Sequence, residues 1–125
     1  TNRYFNYIYV RMGAHTLIHK RTEDDIWKNL FELPLVETEK DLSEEEFLAC
    51  PQFHALFAEG EVRMVRTLLR GVKHVLSHRV IYTNFYEVTL PDNSSSFSSY
   101  QRAAVEDLGR YAVPRLIHAF LEKYV

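Results

Sequence analysis

Apolar and polar residues in the first third of the chain follow patterns typical of β-strands. Residues 4–12 carry β-forming side chains at nearly every position, which predicts a strand covered on both faces. The pair Gly13-Ala14 predicts a turn, and residues 16–20 then predict an antiparallel partner for the first strand. Because Pro34 cannot donate a hydrogen bond within a sheet, we expect residues 26–37 to form an irregular, packed segment that ends in a short strand.

Helical signals occupy the middle and the end of the chain. Residues 41–46 place a capping residue and an acid-rich first turn ahead of Phe47, which predicts a short helix. Pro51 predicts the start of a second short helix that Gly60 ends. A last helix is predicted to begin at Pro114, and its apolar residues share one face: Leu116, Ile117, Phe120, Leu121 and Tyr124.

Between these helices, apolar and polar residues alternate again with a period of two. Residues 62–69, 72–76 and 80–90 predict three strands in a meander, with Arg70-Gly71 between the first two. The serine-rich stretch 91–99 predicts a flexible loop. This order of strands and helices predicts an α+β fold, with a mixed or antiparallel sheet flanked by helices.

Length and composition agree with one globular domain that spans residues 1–125. The chain is 46% hydrophobic, but no apolar segment reaches the roughly 18 residues that cross a bilayer, and no signal peptide is recognisable. We therefore expect a soluble, cytoplasmic protein that does not contact a membrane. Cys50 is the only cysteine, and we expect a buried or half-buried thiol there. Because Thr1 precedes a strand almost directly, we expect the chain to be part of a longer protein.

Charge is distributed unevenly although the net charge is only −2. Residues 22–46 hold ten acidic side chains against two lysines, and this segment is expected to repel phosphate. Residues 61–79 hold five arginines and lysines against one glutamate, together with two histidines. Two interpretations of the basic segment stay open: a face that binds a polyanion, or the solvated side of strands.

Three segments carry a resemblance to a known family. The first runs from His19 to Glu39 and contains Ile26-Trp27-Lys28-Asn29-Leu30-Phe31-Glu32-Leu33-Pro34. The second is His74-Val75-Leu76-Ser77-His78-Arg79, and the third, residues 110–117, contains Tyr111-Ala112-Val113-Pro114. In this order they resemble the opening, the recognition loop and the closing helix of the C-terminal Nudix-like domain of MutY, the adenine DNA glycosylase. The resemblance spans nearly the whole chain.

The resemblance implies a division of labour in base excision repair. In that family an N-terminal helical domain with an iron–sulfur cluster removes adenine, while the C-terminal domain clamps the duplex and recognises the 8-oxoguanine opposite. The domain alone is then non-catalytic and holds no metal or cofactor. The implied partners are DNA with an 8-oxoguanine:adenine mispair, the catalytic domain of the same chain, and a repair or replication protein. The implied location is the nucleoid of a bacterial cytoplasm.

The recognition loop of the family is commonly Phe-Ser-His. The resemblance therefore assigns the aromatic position to Leu76, the hydroxyl to Ser77 and the imidazole to His78. A leucine can still wedge between bases but cannot stack on them as an aromatic ring does. Trp27 is expected to pack in the core or under the loop. The remaining candidates are Lys73, His74 and Arg79. For each of them two alternatives stay open: contact with a phosphate, or a solvated position without a ligand.

Recognition of 8-oxoguanine has a simple chemical basis. The oxidised base carries a hydrogen on N7 and a carbonyl at C8, so that an acceptor edge becomes a donor edge. A serine hydroxyl or a loop carbonyl accepts from this N7–H, whereas a carbonyl finds no donor on unmodified guanine. One such contact discriminates by about 1 to 3 kcal/mol.

Two other function classes stay open. A Nudix hydrolase needs metal-binding carboxylates in a Gly-x5-Glu-x7-Arg-Glu-x2-Glu-Glu-x-Gly box, which this chain lacks. Leu35, Val36 and Glu37 follow Pro34 where a pair of glycines would be expected. The run Glu44-Glu45-Glu46 has neither the preceding arginine nor the following glycine. These three acids fit the start of a helix better. A protein-interaction domain is the other alternative, with the acidic segment 22–46 as its docking surface.

Overall fold

Strands make up most of the regular secondary structure, and the short helices lie between them and at the end of the chain. The computed structural model describes residues 1–125. The elements in chain order are β1 (Asn2–Arg11), β2 (His15–Lys20), β3 (Phe31–Glu32), β4 (Leu35–Thr38), α1 (Glu44–Ala49), α2 (Pro51–His54), β5 (Met64–Val75), β6 (Val80–Thr89), β7 (Gln101–Ala104), a 3₁₀ helix (Val105–Arg110) and α3 (Arg115–Tyr124).

Two sheets form the framework and confirm the predicted α+β class. The larger sheet has the strand order β4-β1-β6-β5, with β1 and β6 parallel in the centre and both outer strands antiparallel. The smaller sheet has the order β3-β2-β7. The predicted pairing of β2 with β1 is wrong beyond a single bridge between Met12 and His15. Both edges of β1 are already occupied by β4 and β6, so β2 pairs with β3 and β7 instead.

The predicted meander of three strands is a hairpin of two. Residues 64–75 form one continuous strand, β5, because the Arg70-Gly71 pair is a bulge and not a break. Gly71 has a φ of +69°, and its N–H donates to the side-chain oxygen of Asn84 at 2.8 Å. The side chain of Asn84 thereby satisfies a backbone donor within the irregular stretch of the strand, where the register shifts twice.

The predicted helices are present. The side-chain oxygen of Ser43 accepts from the N–H of Glu46 at 3.1 Å, and Glu46 accepts from the N–H of Ser43 at 3.0 Å, which forms a capping box. The second helix ends at His54, before Gly60, and the chain continues in turns. Pro114 caps α3, whose side chains Leu116, Ile117 and Phe120 are buried, while Leu121 and Tyr124 are half-buried.

Apolar side chains cover both faces of the larger sheet. On one face, Phe5, Tyr7 and Phe85 pack against α3, where the rings of Phe85 and Phe120 stack at 4.1 Å. On the other face, Ile8, Val10 and Tyr86 pack against α1 and α2, where Phe47 stacks on Tyr86 at 4.6 Å. The expectation that the first strand is covered on both faces is confirmed. Cys50 is half-buried, as expected.

An ion-pair cluster ties the predicted polar loop to the larger sheet. Asp25 accepts two hydrogen bonds from Arg3, at 2.8 and 2.9 Å, and one from Arg21 at 2.9 Å. Arg79 also approaches Asp25, at 3.4 Å, and Arg3 is bidentate to Glu37. Chiefly because Arg3 donates to it, the pKa of Asp25 is lowered to about 2. One carboxylate thus links three chain segments.

Replacement of Asp25 by Asn is expected to destabilise the fold by about 1 kcal/mol at pH 7, since the cluster is partly exposed and solvent weakens it. A carboxyl whose pKa is depressed in the folded state stabilises above its unfolded pKa and loses that effect as pH falls through the folded value. The difference between Asp25→Asn and the unsubstituted protein should therefore shrink between pH 4 and pH 2, roughly. Urea unfolding at several pH values measures it.

The matched control is Asp24→Asn, because Asp24 is exposed and forms no ion pair. A gap for Asp25→Asn that stays constant down to pH 2, or an equal gap for Asp24→Asn, would contradict this account of the cluster.

Candidate nucleic-acid interface

The segment singled out in the sequence is the tip of the hairpin between β5 and β6. The N–H of Leu76 donates to the carbonyl of Arg79 at 2.8 Å, and the N–H of Arg79 donates back at 3.4 Å. Ser77 and His78 are therefore the two turn residues, and both are exposed. Neither has a positive φ, so the turn is not one of the mirror-image types that dominate two-residue hairpins. The tip presents a hydroxyl and an imidazole to solvent.

Side chains alternate strictly as β5 approaches this tip. Val72 and Leu76 point toward α3 and pack against the core cluster on that face. Lys73 and Val75 point the other way and are exposed, with 66% of Val75 accessible to solvent. The structure thus places Leu76 half-buried, and Val75 is the exposed apolar side chain next to the turn. The resemblance did not select Val75, although alternation from Val72 would have placed it on the outer face.

Trp27 lies under the hairpin, as expected. Its ring meets Phe5 edge to face at 5.9 Å and His74 at 6.0 Å. His74 is half-buried against this ring, on the same side of β5 as Leu76. The imidazole of His74 is consequently less accessible than that of His78, which is in the turn itself.

The basic residues of segment 61–79 divide into two groups. Those far from the tip have partners within the protein: Arg66 donates to Glu87 at 2.9 Å, and Arg70 donates to the hydroxyl of Tyr86 at 2.6 Å. Arg63 donates to the carbonyl of Gly60 at 2.7 Å. Near the tip, Lys73 forms no ion pair and Arg79 is held only by the long contact to Asp25. Within this segment, Lys73 and Arg79 are therefore the basic side chains that lie near the turn and have no close carboxylate partner.

The acidic segment 22–46 is also divided. Asp25, Glu32 and Glu37 are bound to arginines, so their charges are compensated internally. Glu32 is buried, and the hydroxyl of Tyr7 donates to it at 2.7 Å. Burial against this carboxylate raises the pKa of Tyr7 well above its ordinary value. The acids of this segment that form no ion pair are in three places: Glu44, Glu45 and Glu46 on α1, Glu39 before it, and Glu23 and Asp24. The last two lie in the same loop as Asp25, which contacts Arg79 at the tip.

The position where a hydrolase of this fold needs carboxylates has a different arrangement here. Glu44, Glu45 and Glu46 occupy the first turn of α1 and are exposed, and Glu46 is engaged in the capping box. No three histidine, cysteine or acidic side chains in the structure are grouped closely enough to hold a metal ion. The preceding loop is fastened to the sheet, because Asn84 donates to Asp41 at 3.2 Å and Arg70 to the carbonyl of Leu42 at 2.8 Å.

None of the helices has the length and apolar character that a membrane span requires.

Solved structures of similar fold include a MUTYH domain and MutT proteins. The C-terminal domain of mouse MUTYH, solved in complex with human PCNA, superposes with a TM-score of 0.69 at 15% identity, over 98% of this chain and 86% of that one. MutT, from work on Aliivibrio salmonicida and Vibrio cholerae, gives 0.64 at 14% identity, over 98% and 96% of the two chains. MutT of Methanosarcina mazei Go1 gives 0.61 at 15% identity, over 98% and 91%.

At these identities the likeness concerns the fold, and it confirms the predicted Nudix-like architecture. Among curated proteins, none matches the sequence. Residues 6–123 match the family model described as NUDIX domain, which is nearly the whole chain. The protein therefore belongs to the NUDIX domain family.

Proposed function

We propose that this protein is a DNA-recognition domain that binds duplex DNA containing 8-oxoguanine opposite adenine and clamps it for a MutY-type adenine glycosylase in base excision repair. The observation that carries the proposal is the exposed two-residue turn of Ser77 and His78, with the available cations beside it. The domain itself is proposed to be non-catalytic. The adenine-removing domain, with its iron–sulfur cluster, is proposed to belong to the same longer chain.

The turn offers the acceptors that the oxidised base requires. The Ser77 hydroxyl is exposed, and the carbonyls of Ser77 and His78 accept no backbone hydrogen bond within the protein. Either kind of oxygen can accept from the N7–H of 8-oxoguanine. Ordinary guanine lacks this hydrogen, so a carbonyl facing its N7 would remain without a partner. The turn thereby has the chemistry for distinguishing the two bases.

The residues around the turn have supporting roles in this proposal. Leu76 packs its side chain on the core and closes the turn through its N–H and carbonyl, so its role is to hold Ser77 and His78 in place. Lys73 and Arg79 bind phosphates, and Arg79 exchanges its 3.4 Å contact with Asp25 for a phosphate oxygen. His78 contacts a phosphate or packs beside Ser77, and His74 is a further candidate for contact with a phosphate.

The mouse MUTYH domain of similar fold is bound to human PCNA in its structure. This supports a repair or replication protein as an additional partner of this chain. The exposed acidic residues of α1 are the surface that we propose for it.

A nucleoside diphosphate-linked hydrolase is the second candidate function, because the same fold is found in MutT proteins. Release of inorganic phosphate or pyrophosphate from nucleoside triphosphates in the presence of Mg²⁺, abolished by replacing Glu44 to Glu46 with glutamine, would favour this candidate over DNA recognition.

The double variant Ser77→Ala, His78→Ala should lose preference for 8-oxoguanine:adenine over guanine:adenine by about tenfold, because a discriminating contact contributes about 1 to 3 kcal/mol. The fold should be unaffected, since both side chains are exposed. Fluorescence anisotropy with matched duplexes measures the two affinities. The control is Ser99→Ala, His118→Ala, in which both side chains are also exposed but lie away from the hairpin. Preference unchanged in the first variant would remove the two side chains from lesion recognition, because the substitutions leave the carbonyls of Ser77 and His78 in place.

Arg79→Met should weaken binding to both duplexes equally, because a phosphate contact carries no sequence information. The slope of log affinity against log salt should become shallower by about 1. Arg115→Met is the matched control, because Arg115 is exposed on α3 and has no ion pair. A change in lesion preference, or an equal loss in the control, would argue against phosphate binding by Arg79.

A further inference from the structure

Part of the larger sheet is uncovered next to the hairpin tip. On the face opposite α3, α1 and α2 pack against the part of the sheet that contains Ile8, Val10, Val36, Tyr86 and Val88. The strand register defines two rows on the uncovered part. The row nearest the tip contains Val75, Val80 and Asn2, and the next contains Lys73, Tyr82, Tyr4 and Thr38.

The second row contains a pair of tyrosines with unused hydroxyl groups. The rings of Tyr4 and Tyr82 stack at 5.6 Å with an interplanar angle of 16°. Both side chains are half-buried, but their hydroxyl groups are not, and neither hydroxyl takes part in a hydrogen bond within the protein. Two phenol donors therefore face solvent from a rigid strand pair.

Charge on these two rows favours an anionic ligand. Lys73 is exposed and has no ion-pair partner, and neither row contains a carboxylate. Glu37 is opposite Phe5 in the register, so it belongs to the other face, where it binds Arg3. Acids lie at the β4 end of the second row, where Thr38 lines a pocket together with Glu37 and Glu39, so the positive charge is at the opposite end, at Lys73.

Val75 is the most exposed large apolar side chain of the protein, at 66%, and it lies between the turn and the tyrosines. Four strands about 4.8 Å apart and two rows about 7 Å apart give a patch of roughly 100 to 200 Å². A stable protein interface buries about 800 Å² on each partner. The patch is too small to hold a protein partner alone, but it extends a DNA contact that begins at the tip.

We propose that DNA bound at the turn continues across these two rows. Val75 packs against the sugars and base edges, as apolar side chains do in other duplex binders. Lys73 and the hydroxyls of Tyr4 and Tyr82 bind the adjacent phosphates. This inference rests on the proposed function. It assigns the apolar contact with DNA to Val75, because Leu76 is committed to the core.

Three single variants test the rows. Val75→Ser should weaken binding about three- to tenfold, and Tyr82→Phe about twofold, for lesion and undamaged duplexes alike, because these contacts do not touch the oxidised edge. Lys73→Ala should also make the salt slope shallower by about 1. Anisotropy titrations with the two duplexes provide all three readouts.

The chain offers matched controls. Met64→Ser removes a 56% exposed apolar side chain at the far end of the same strand, β5. Tyr124→Phe removes the hydroxyl of a half-buried tyrosine that also stacks on a ring, Phe120, at 5.3 Å. Neither control should change affinity. Circular dichroism of each variant verifies that the sheet is intact.

The outcomes separate this inference from the proposed function. Uniform weakening by Val75→Ser and Tyr82→Phe, together with loss of lesion preference in the Ser77, His78 variant, supports both. If Val75→Ser and Tyr82→Phe bind DNA like their controls while the turn variant loses lesion preference, the inference is overturned and the proposed function is retained. If the row variants weaken DNA binding but the unsubstituted protein shows no preference for the lesion duplex, the DNA-binding surface is supported and the lesion-recognition role is removed. Absence of DNA binding by the unsubstituted protein removes both.

Discussion

The parallel pairing of β1 with β6 is the constraint on which the other elements depend. It runs over ten residue pairs, from Asn2 with Val80 to Arg11 with Thr89, and most of its side chains are buried on both faces. Parallel strands cannot be joined by a tight turn, so a long connection is required between them. That connection contains β2, β3, β4, α1, α2 and β5. Because the two strands start at the same end, the hairpin before β6 lies beside the beginning of β1, and the N–H of Val80 donates to the carbonyl of Thr1.

Internal ion pairs decide where charge remains accessible. Arg3, Arg21 and Arg66 are held by carboxylates, and Asp25 alone serves three arginines. Such partly exposed pairs contribute little individually to stability, but together they hold the polar loop against the sheet. A chain with a net charge of −2 can thus still present positive charge at one corner. Within residues 61–79, the pairing decides which cations remain near the turn: Arg66 is held by Glu87, whereas Lys73 has no partner.

Local sequence patterns predicted the positions of strands and helices better than they predicted which strands pair with each other. The central strands, the capping box at Ser43 and the apolar face of α3 all follow from short-range spacing, and the structure contains them. The pairing of β2 depends on which sheet edges are free, which a local pattern does not reveal. Strand β7 is four residues long and follows a serine-rich loop, so it carries almost no periodic signal. The candidate turn was located through the family resemblance, but the inward position of Leu76 emerges only when the hairpin is closed.

The two irregularities in β5 have a consequence for how the hairpin end is built. Between Thr67 and Val72, β5 contains two more residues than the segment of β6 that it pairs with, one at each bulge. If one bulge were lost, the end of β5 would shift by one residue relative to β6, and the turn would lengthen from two residues to three. The side chains of Val75 and Leu76 would then lie on the opposite faces of the sheet. The hydrogen bond from the N–H of Gly71 to the side-chain oxygen of Asn84 stabilises the second bulge. An asparagine in the middle of the sheet therefore sets the length of a turn at its edge, and with it which apolar side chain solvent meets.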